Sequence, residues 1–122
     1  MKAESIVVLG NEDDDINWIL KCLTHEEIPQ NNWITVYNPK EEADIAESEA
    51  NLRQYLKKNS GCLVTLGKRF NGMSSAVTVL VYSNPYSCNF RANYMRASVE
   101  LILIDRNKMG TAPLVWIIAP FL

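Results

Sequence analysis

The segment at residues 5–9, SIVVL, is almost entirely aliphatic and shows no alternation of polar and apolar residues. A strand with one face in water alternates between the two kinds of side chain, whereas a strand covered on both faces is apolar throughout. Strands covered on both faces occur mainly in parallel sheets that lie between two layers of helices. This short segment therefore favours a sheet with helices on each side.

A helical pattern follows this first predicted strand. The next apolar residues are spaced at i, i+3, i+4 and i+7, namely Ile16, Ile19, Leu20 and Leu23. That spacing places them on one stripe of a helix. We predict a helix that begins at Asp14 and ends before Pro29, because the residue before a proline disfavours the helical conformation.

Four more strand-like runs and one more helix-like run follow. The strand-like runs are 33–37 (WITVY), 62–66 (CLVTL), 76–82 (AVTVLVY) and 113–119 (PLVWIIA). Residues 41–57 are rich in Ala, Glu, Leu, Arg and Lys, and this composition favours a helix. Residues 88–103 carry apolar side chains at helical spacing, but 99–104 (VELILI) fits a strand equally well.

Strands that alternate with helices predict an α/β fold, here a flavodoxin-like three-layer sandwich with a mainly parallel central sheet. A length of 122 residues is that of one domain, so we expect residues 1–122 to form a single domain. A buried strand at 113–119 would leave a bare sheet edge near the last residue. We therefore expect a domain cut from a longer chain, or one that pairs with a partner.

Composition narrows the classes of function. The net charge of −2 gives no basic field for nucleic acid, so we expect no nucleic-acid partner. Cys22, Cys62 and Cys88 are too far apart in sequence for a zinc motif or a disulfide framework, and His25 is the only histidine. No apolar run approaches the ~20 residues of a membrane span. We expect a cytoplasmic protein without a metal, a cofactor or a membrane span.

Four consecutive acids, residues 12–15 (EDDD), follow the first strand. Phospho-acceptor receiver domains bind magnesium at this point, because hard cations prefer clustered carboxylates. That chemistry also needs an aspartate after the third strand, where Gly67 and Lys68 stand here. We therefore reject a receiver site and predict that Asn11, Asp13 or Asp14 caps the helix. A flavodoxin-like cofactor site is disfavoured as well, since these acids would repel a phosphate.

The segment from Asp15 to Ile19, DINWI, resembles the first sequence box of Toll/interleukin-1 receptor (TIR) domains. In that family the aspartate opens the first helix and the tryptophan, here Trp18, packs it onto the sheet. Later segments follow the family's order, including WITVYNP and PLVWIIAP. The family's Arg-Asp-x-x-Pro-Gly loop motif is replaced here by Tyr-Asn-Pro-Lys-Glu.

The TIR resemblance implies the same three-layer fold and two alternative functions. The first is a non-catalytic signalling adaptor, as in innate immunity, that binds other TIR-like domains, with a homodimer as one possible assembly. Its contact residues would be those of the loop after the second strand: Tyr37, Asn38, Pro39, Lys40 and Glu41. The second is a NAD hydrolase that uses Glu100, the match to a glutamate of helix C. An ordinary β-to-α connection and a solvated glutamate remain the alternatives for these two sites.

Overall fold

The computed structural model describes residues 5–25, 34–38, 61–70, 77–96, 100–108, 110 and 112–119. The strands are β1 (Ser5–Gly10), β2 (Ile34–Tyr37), β3 (Gly61–Leu66), β4 (Val77–Tyr82) and β5 (Glu100–Asp105). The helices are α1 (Asp13–His25), α2 (Cys88–Arg96) and α3 (Ala112–Ile118), and a 3-10 turn spans Gly67–Phe70. The helix expected at 41–57 lies outside the described residues.

The five strands form one parallel sheet in the order β2-β3-β1-β4-β5. β1 lies at the centre, with Val8 opposite Val64 of β3 and opposite Val79 of β4. A parallel sheet with helices between its strands confirms the predicted α/β class. The strand predictions at 33–37, 62–66 and 76–82 are confirmed to within one residue at each end.

The strand order differs from that of flavodoxin-like sheets. The flavodoxin order is 2-1-3-4-5, with the first strand between the second and the third. In this chain β3 lies between β2 and β1, so the first and third strands have exchanged positions. As a result β1, and not β3, pairs with β4.

Both faces of the sheet are covered. On one face Ile6 and Val8 of β1 pack with buried residues of α1 and α3, including Ile19 and Leu114. On the other face Val7, Leu9, Leu63 and Leu80 form a second cluster that contacts Phe90 of α2. The aliphatic run of β1 is therefore buried on both sides, as its sequence predicts, and helices lie on both faces.

The predicted strand at 113–119 is wrong, because this segment is the helix α3. In a strand Leu114, Trp116 and Ile118 would share one face. In the structure Leu114 and Ile118 are buried, whereas Trp116 is 74% exposed, which is the pattern of a helix. Pro113 lies in the first turn, where the absence of an N–H costs nothing. An apolar run of this length fits a buried strand or a buried helix equally well.

Residues 100–105, left open between helix and strand by the sequence, form the edge strand β5. The helix before it ends at Arg96, so Leu101 lies in β5 and not on a helical stripe with Phe90 and Tyr94. The longest helix in the described part of the chain, α1, has 13 residues. None of the described helices has the length and apolar character needed to cross a bilayer.

Candidate binding surface

The acidic cluster after β1 caps helix α1. The carboxylate of Asp15 accepts hydrogen bonds from the backbone N–H groups of Glu12 at 2.9 Å and Asn11 at 3.1 Å. The carbonyl of Glu12 accepts the first helical hydrogen bonds, so Glu12 is the N-cap and Asp15 reaches back from the third helical position. A capping function was predicted, but the assignment to Asn11, Asp13 or Asp14 is wrong. The side chain that caps is inside the helix.

Asp15 also forms an ion pair with Arg106, which follows β5. The guanidinium Nε of Arg106 lies 2.6 Å from the Oδ1 of Asp15, and their side chains are 24% and 1% exposed. The backbone N–H of Arg106 donates to the carbonyl of Tyr82, at the end of β4. One carboxylate therefore joins the loop after β1 to the loop after β5. The sequence gives no signal for this partner, since Arg106 belongs to no motif.

A second link joins the loop after β1 to α2. The Nδ2 of Asn93 donates to the Oδ1 of Asn11 at 2.7 Å, and both residues are buried. One turn earlier, Asn89 donates to the carboxylate of Glu12 at 2.6 Å. The side-chain amide of Asn93 also lies against Gly67, where an added Cβ would clash with it. These contacts fix the inner side of α2 on the end of the sheet.

The crevice between the carboxyl ends of β1 and β4 is where open α/β sheets usually bind ligands. The chain leaves β1 towards α1 on one face and β4 towards α2 on the other. The pocket there has a volume of only about 120 Å³, and three of its lining residues, Asn11, Glu12 and Asp15, bond to one another. Among the described residues no group of three His, Cys, Asp or Glu side chains could hold a metal ion. We call this small polar crevice the polar junction.

A larger groove lies beside this junction, on the outer side of α2. We call it the aromatic groove; it has a volume of about 360 Å³ and is lined by Pro85, Tyr86, Ser87, Phe90, Arg91 and Tyr94. The ring of Phe90 lies 4.7 Å from that of Tyr82 and 6.0 Å from that of Tyr94, measured between centroids. These distances are typical of packed aromatic pairs. The floor of the groove therefore consists of aromatic rings that pack edge-on and tilted against one another.

The rim of the aromatic groove is apolar and exposed. Tyr86 is 93% exposed, Tyr94 is 49% exposed and Met95, next to the rim, is 76% exposed. The backbone that carries them is held in place: the N–H of Phe90 donates to the hydroxyl of Ser87, and the N–H of Tyr86 donates to the Oδ1 of Asn84. Ser87 is thus the N-cap of α2. Exposed apolar side chains on a fixed backbone are a feature of binding surfaces.

The residues expected from the TIR resemblance are only partly described. Tyr37 is half-buried at the end of β2, packs on the second core cluster and has its carbonyl bonded to the hydroxyl of Thr65. Asn38 is half-buried, and within the described ranges its Oδ1 has no hydrogen-bond partner. Pro39, Lys40 and Glu41 lie outside the described residues. The structure does not bring Tyr37 and Asn38 into the aromatic groove.

Glu100, the candidate catalytic residue, is exposed and is the first residue of β5. Its expected position at the end of a helix is therefore wrong. The polar junction lies at the carboxyl end of the sheet, and five residue steps along β5 separate Glu100 from that end, about 16 Å at the rise of a strand. No described pocket is lined by Glu100.

Two of the three cysteines are buried side chains. Burial raises the pKa of the Cys62 thiol to about 12, so at neutral pH it is an uncharged core side chain. Cys22 is also buried, and Cys88 is exposed at the start of α2. None of the three cysteines forms a disulfide.

Comparisons of this chain with protein-family models, with curated proteins and with solved structures gave no match. The aromatic groove therefore rests on the geometry of this chain alone. Phe90 and Tyr94 are among the apolar residues that recur at helical spacing in 88–103, but this spacing does not say that the groove which they line is exposed. The segment 84–96 has few aliphatic residues, as expected of a helix that lies partly in solvent.

Proposed function

We propose that this chain is a protein-interaction module that binds a partner polypeptide through the aromatic groove. The observation that carries the proposal is the exposure of Tyr86, Tyr94 and Met95 around a groove with an aromatic floor. Aromatic residues, methionine and arginine are enriched in protein interfaces, whereas most other surface residues are depleted there. The residues of this surface match that composition.

The energetics of the groove favour binding. An aromatic side chain buries about 150–250 Å² when it becomes fully covered, and apolar burial contributes about 25 cal/mol per Å². Covering Tyr86 and the exposed half of Tyr94 would therefore contribute several kcal/mol. Because Asn89 and Asn93 hold the inner side of α2, little backbone freedom is lost on binding.

The partner class expected from the TIR resemblance, a second TIR-like domain, stays a prediction, as does a signalling role in the cytoplasm. The interaction proposal does not depend on that resemblance. It moves the contact surface from the loop after β2 to the start and outer side of α2. The odd number of widely spaced cysteines favours a reducing compartment such as the cytoplasm.

The proposal can be tested by selecting a random 12-residue peptide library on the purified chain and measuring the recovered peptides by fluorescence polarisation. We expect Tyr86→Ala and Tyr94→Ala each to weaken binding at least tenfold, as interface anchors do. Trp116→Ala is the matched control, since Trp116 is 74% exposed but lies on α3, on the opposite face of the sheet. The affinity of the Trp116→Ala variant for the recovered peptides should equal that of the parent chain.

Two results would contradict the proposal. One is a library selection that yields no peptide above background. The other is a set of peptides whose affinity falls with Trp116→Ala and is unchanged by both tyrosine substitutions. Circular dichroism spectra of the variants show that a lost affinity is not lost folding.

A further inference from the structure

We infer that the aromatic groove recognises an acidic linear segment, in which a carboxylate binds Arg91 while a neighbouring apolar side chain enters the groove. This inference rests on the proposed function and specifies the chemistry of the partner. It adds a charge requirement that apolar contact alone would not impose.

The charge around the groove supports the inference. The chain as a whole has a net charge of −2, but the segment 84–96 contains two arginines and no acid. Arg91 is exposed and lines the groove. Within the described part of the chain no carboxylate pairs with it, so its guanidinium is available to a partner. A guanidinium binds a carboxylate through two parallel hydrogen bonds, which also fixes the orientation of the bound segment.

The placement of Arg91 sets the spacing that it can recognise. Ser87, Phe90, Arg91 and Tyr94 lie at i, i+3, i+4 and i+7 and form one stripe of α2. Met95 lies one turn after Arg91, so the cation is flanked by apolar side chains on the same surface. A segment that lies along this stripe places its acid within one or two residues of its apolar anchor.

A protein partner is favoured over single-stranded nucleic acid, which also stacks on aromatic side chains. Glu12, Asp13 and Asp14 are exposed at the start of α1, and Glu12 bonds directly to Asn89 of α2. A chain of phosphates that passed the groove would meet these carboxylates, and the repulsion would oppose binding. A peptide with a single carboxylate can pair with Arg91 without approaching Glu12, Asp13 and Asp14.

The test uses the peptides recovered from the 12-residue library. We expect them to share Asp or Glu within two positions of an aromatic or aliphatic residue. Changing that acid to its amide should weaken binding at least tenfold. Arg91→Gln should weaken binding of the acidic peptide by the same factor and leave binding of the amide peptide unchanged. The reason is that the Arg91 substitution and the amide substitution remove the same ion pair. Arg91 is exposed, so this variant is expected to fold.

The inference would be overturned if peptides whose binding depends on Tyr86 and Tyr94 lack acids, or bind the Arg91→Gln variant as tightly as the parent chain. Either result would leave the proposed function intact. A twelve-nucleotide oligothymidine that binds more tightly than any peptide, in an Arg91-dependent manner, would overturn it in favour of nucleic acid. Light scattering that shows self-association lost on Arg91→Gln, with no peptide bound, would assign the groove to a second copy of the chain.

Discussion

The Asp15 carboxylate holds two backbone N–H groups and one guanidinium, although its side chain is 1% exposed. Because removal of one partner leaves the other buried and unpaired, such groups are costly to change. We expect Asp15→Asn to lower the free energy of unfolding by about 3 kcal/mol, measured by urea denaturation. Asp14→Asn is the matched control: Asp14 is exposed in the same turn, and its change should cost about 0.5 kcal/mol.

The pairwise contribution of Asp15 and Arg106 can be separated from the capping bonds. In a double-mutant cycle with Arg106→Gln, the two single changes should not add, because each removes the same ion pair. If the losses in the free energy of unfolding of the two single variants add up to that of the double variant, the ion pair with Asp15 contributes nothing to stability.

Gly67 is required by close approach and not by an unusual backbone angle. A Cβ at this position would clash with the side-chain amide of Asn93, whose Nδ2 donates to the Oδ1 of Asn11. Gly67→Ala must therefore displace Asn93, and we expect a loss of about 2–3 kcal/mol in stability. Gly110→Ala serves as the control, since nothing lies within 4 Å of its added Cβ. Thermal denaturation of the two variants gives the comparison.

The same site offers a rescue experiment. In Gly67→Ala with Asn93→Ala, the clashing amide is gone, so the double variant should lose less stability than the sum of the two single variants. If the double variant loses as much stability as the two single variants together, the contact with Asn93 does not explain the need for glycine at position 67.

At the scale of the element, the burial of single side chains identifies α3 as a helix, which the apolar sequence of this segment does not. Leu114 is fully buried and Trp116 is 74% exposed, which a helix explains and a strand does not. We expect Leu114→Ala to cost about 3 kcal/mol and Trp116→Ala less than about 0.5 kcal/mol in the free energy of unfolding. Similarly large losses of stability for the two variants would support a strand at 113–119, because a strand would bury Leu114 and Trp116 on one face.

Periodicity predicts α1, but it does not separate a helix from a strand in two later apolar runs. The stripe of Ile16, Ile19 and Leu23 fits one period, and α1 was found within a few residues of its predicted bounds. The run PLVWIIA is apolar at almost every position and therefore carries no period. The segment 99–104 was ambiguous for the same reason, and it is pairing with β4 that makes it a strand.

At the scale of the whole molecule, the order of the strands decides which loops meet. We expect backbone nuclear Overhauser effects between Val8 and Val79, which face each other on β1 and β4. In the flavodoxin order β4 would lie beside β3 instead. Contacts between the backbones of β3 and β4, with none between β1 and β4, would contradict the sheet described here.

The class of fold follows from local patterns, whereas the order of the strands and the binding surface do not. The apolar run of β1 shows that it is covered on both faces, but nothing in it says which strands are its neighbours. Likewise Asp15 is recognisable as a helix-start residue, yet its partner Arg106 is 91 residues away. The exposure of Tyr86 depends on how α2 lies on the sheet, which no local pattern encodes.

The central position of β1 has a consequence for synthesis. Of the described strands β1 is translated first, and both of its neighbours, β3 and β4, are translated after it. Arg106, which secures the start of α1, is added later still. The aliphatic strand β1 therefore lacks both of its neighbours until β3 has been made, and such segments are prone to aggregate. The nascent chain is expected to depend on chaperones until β3 and β4 have emerged from the ribosome.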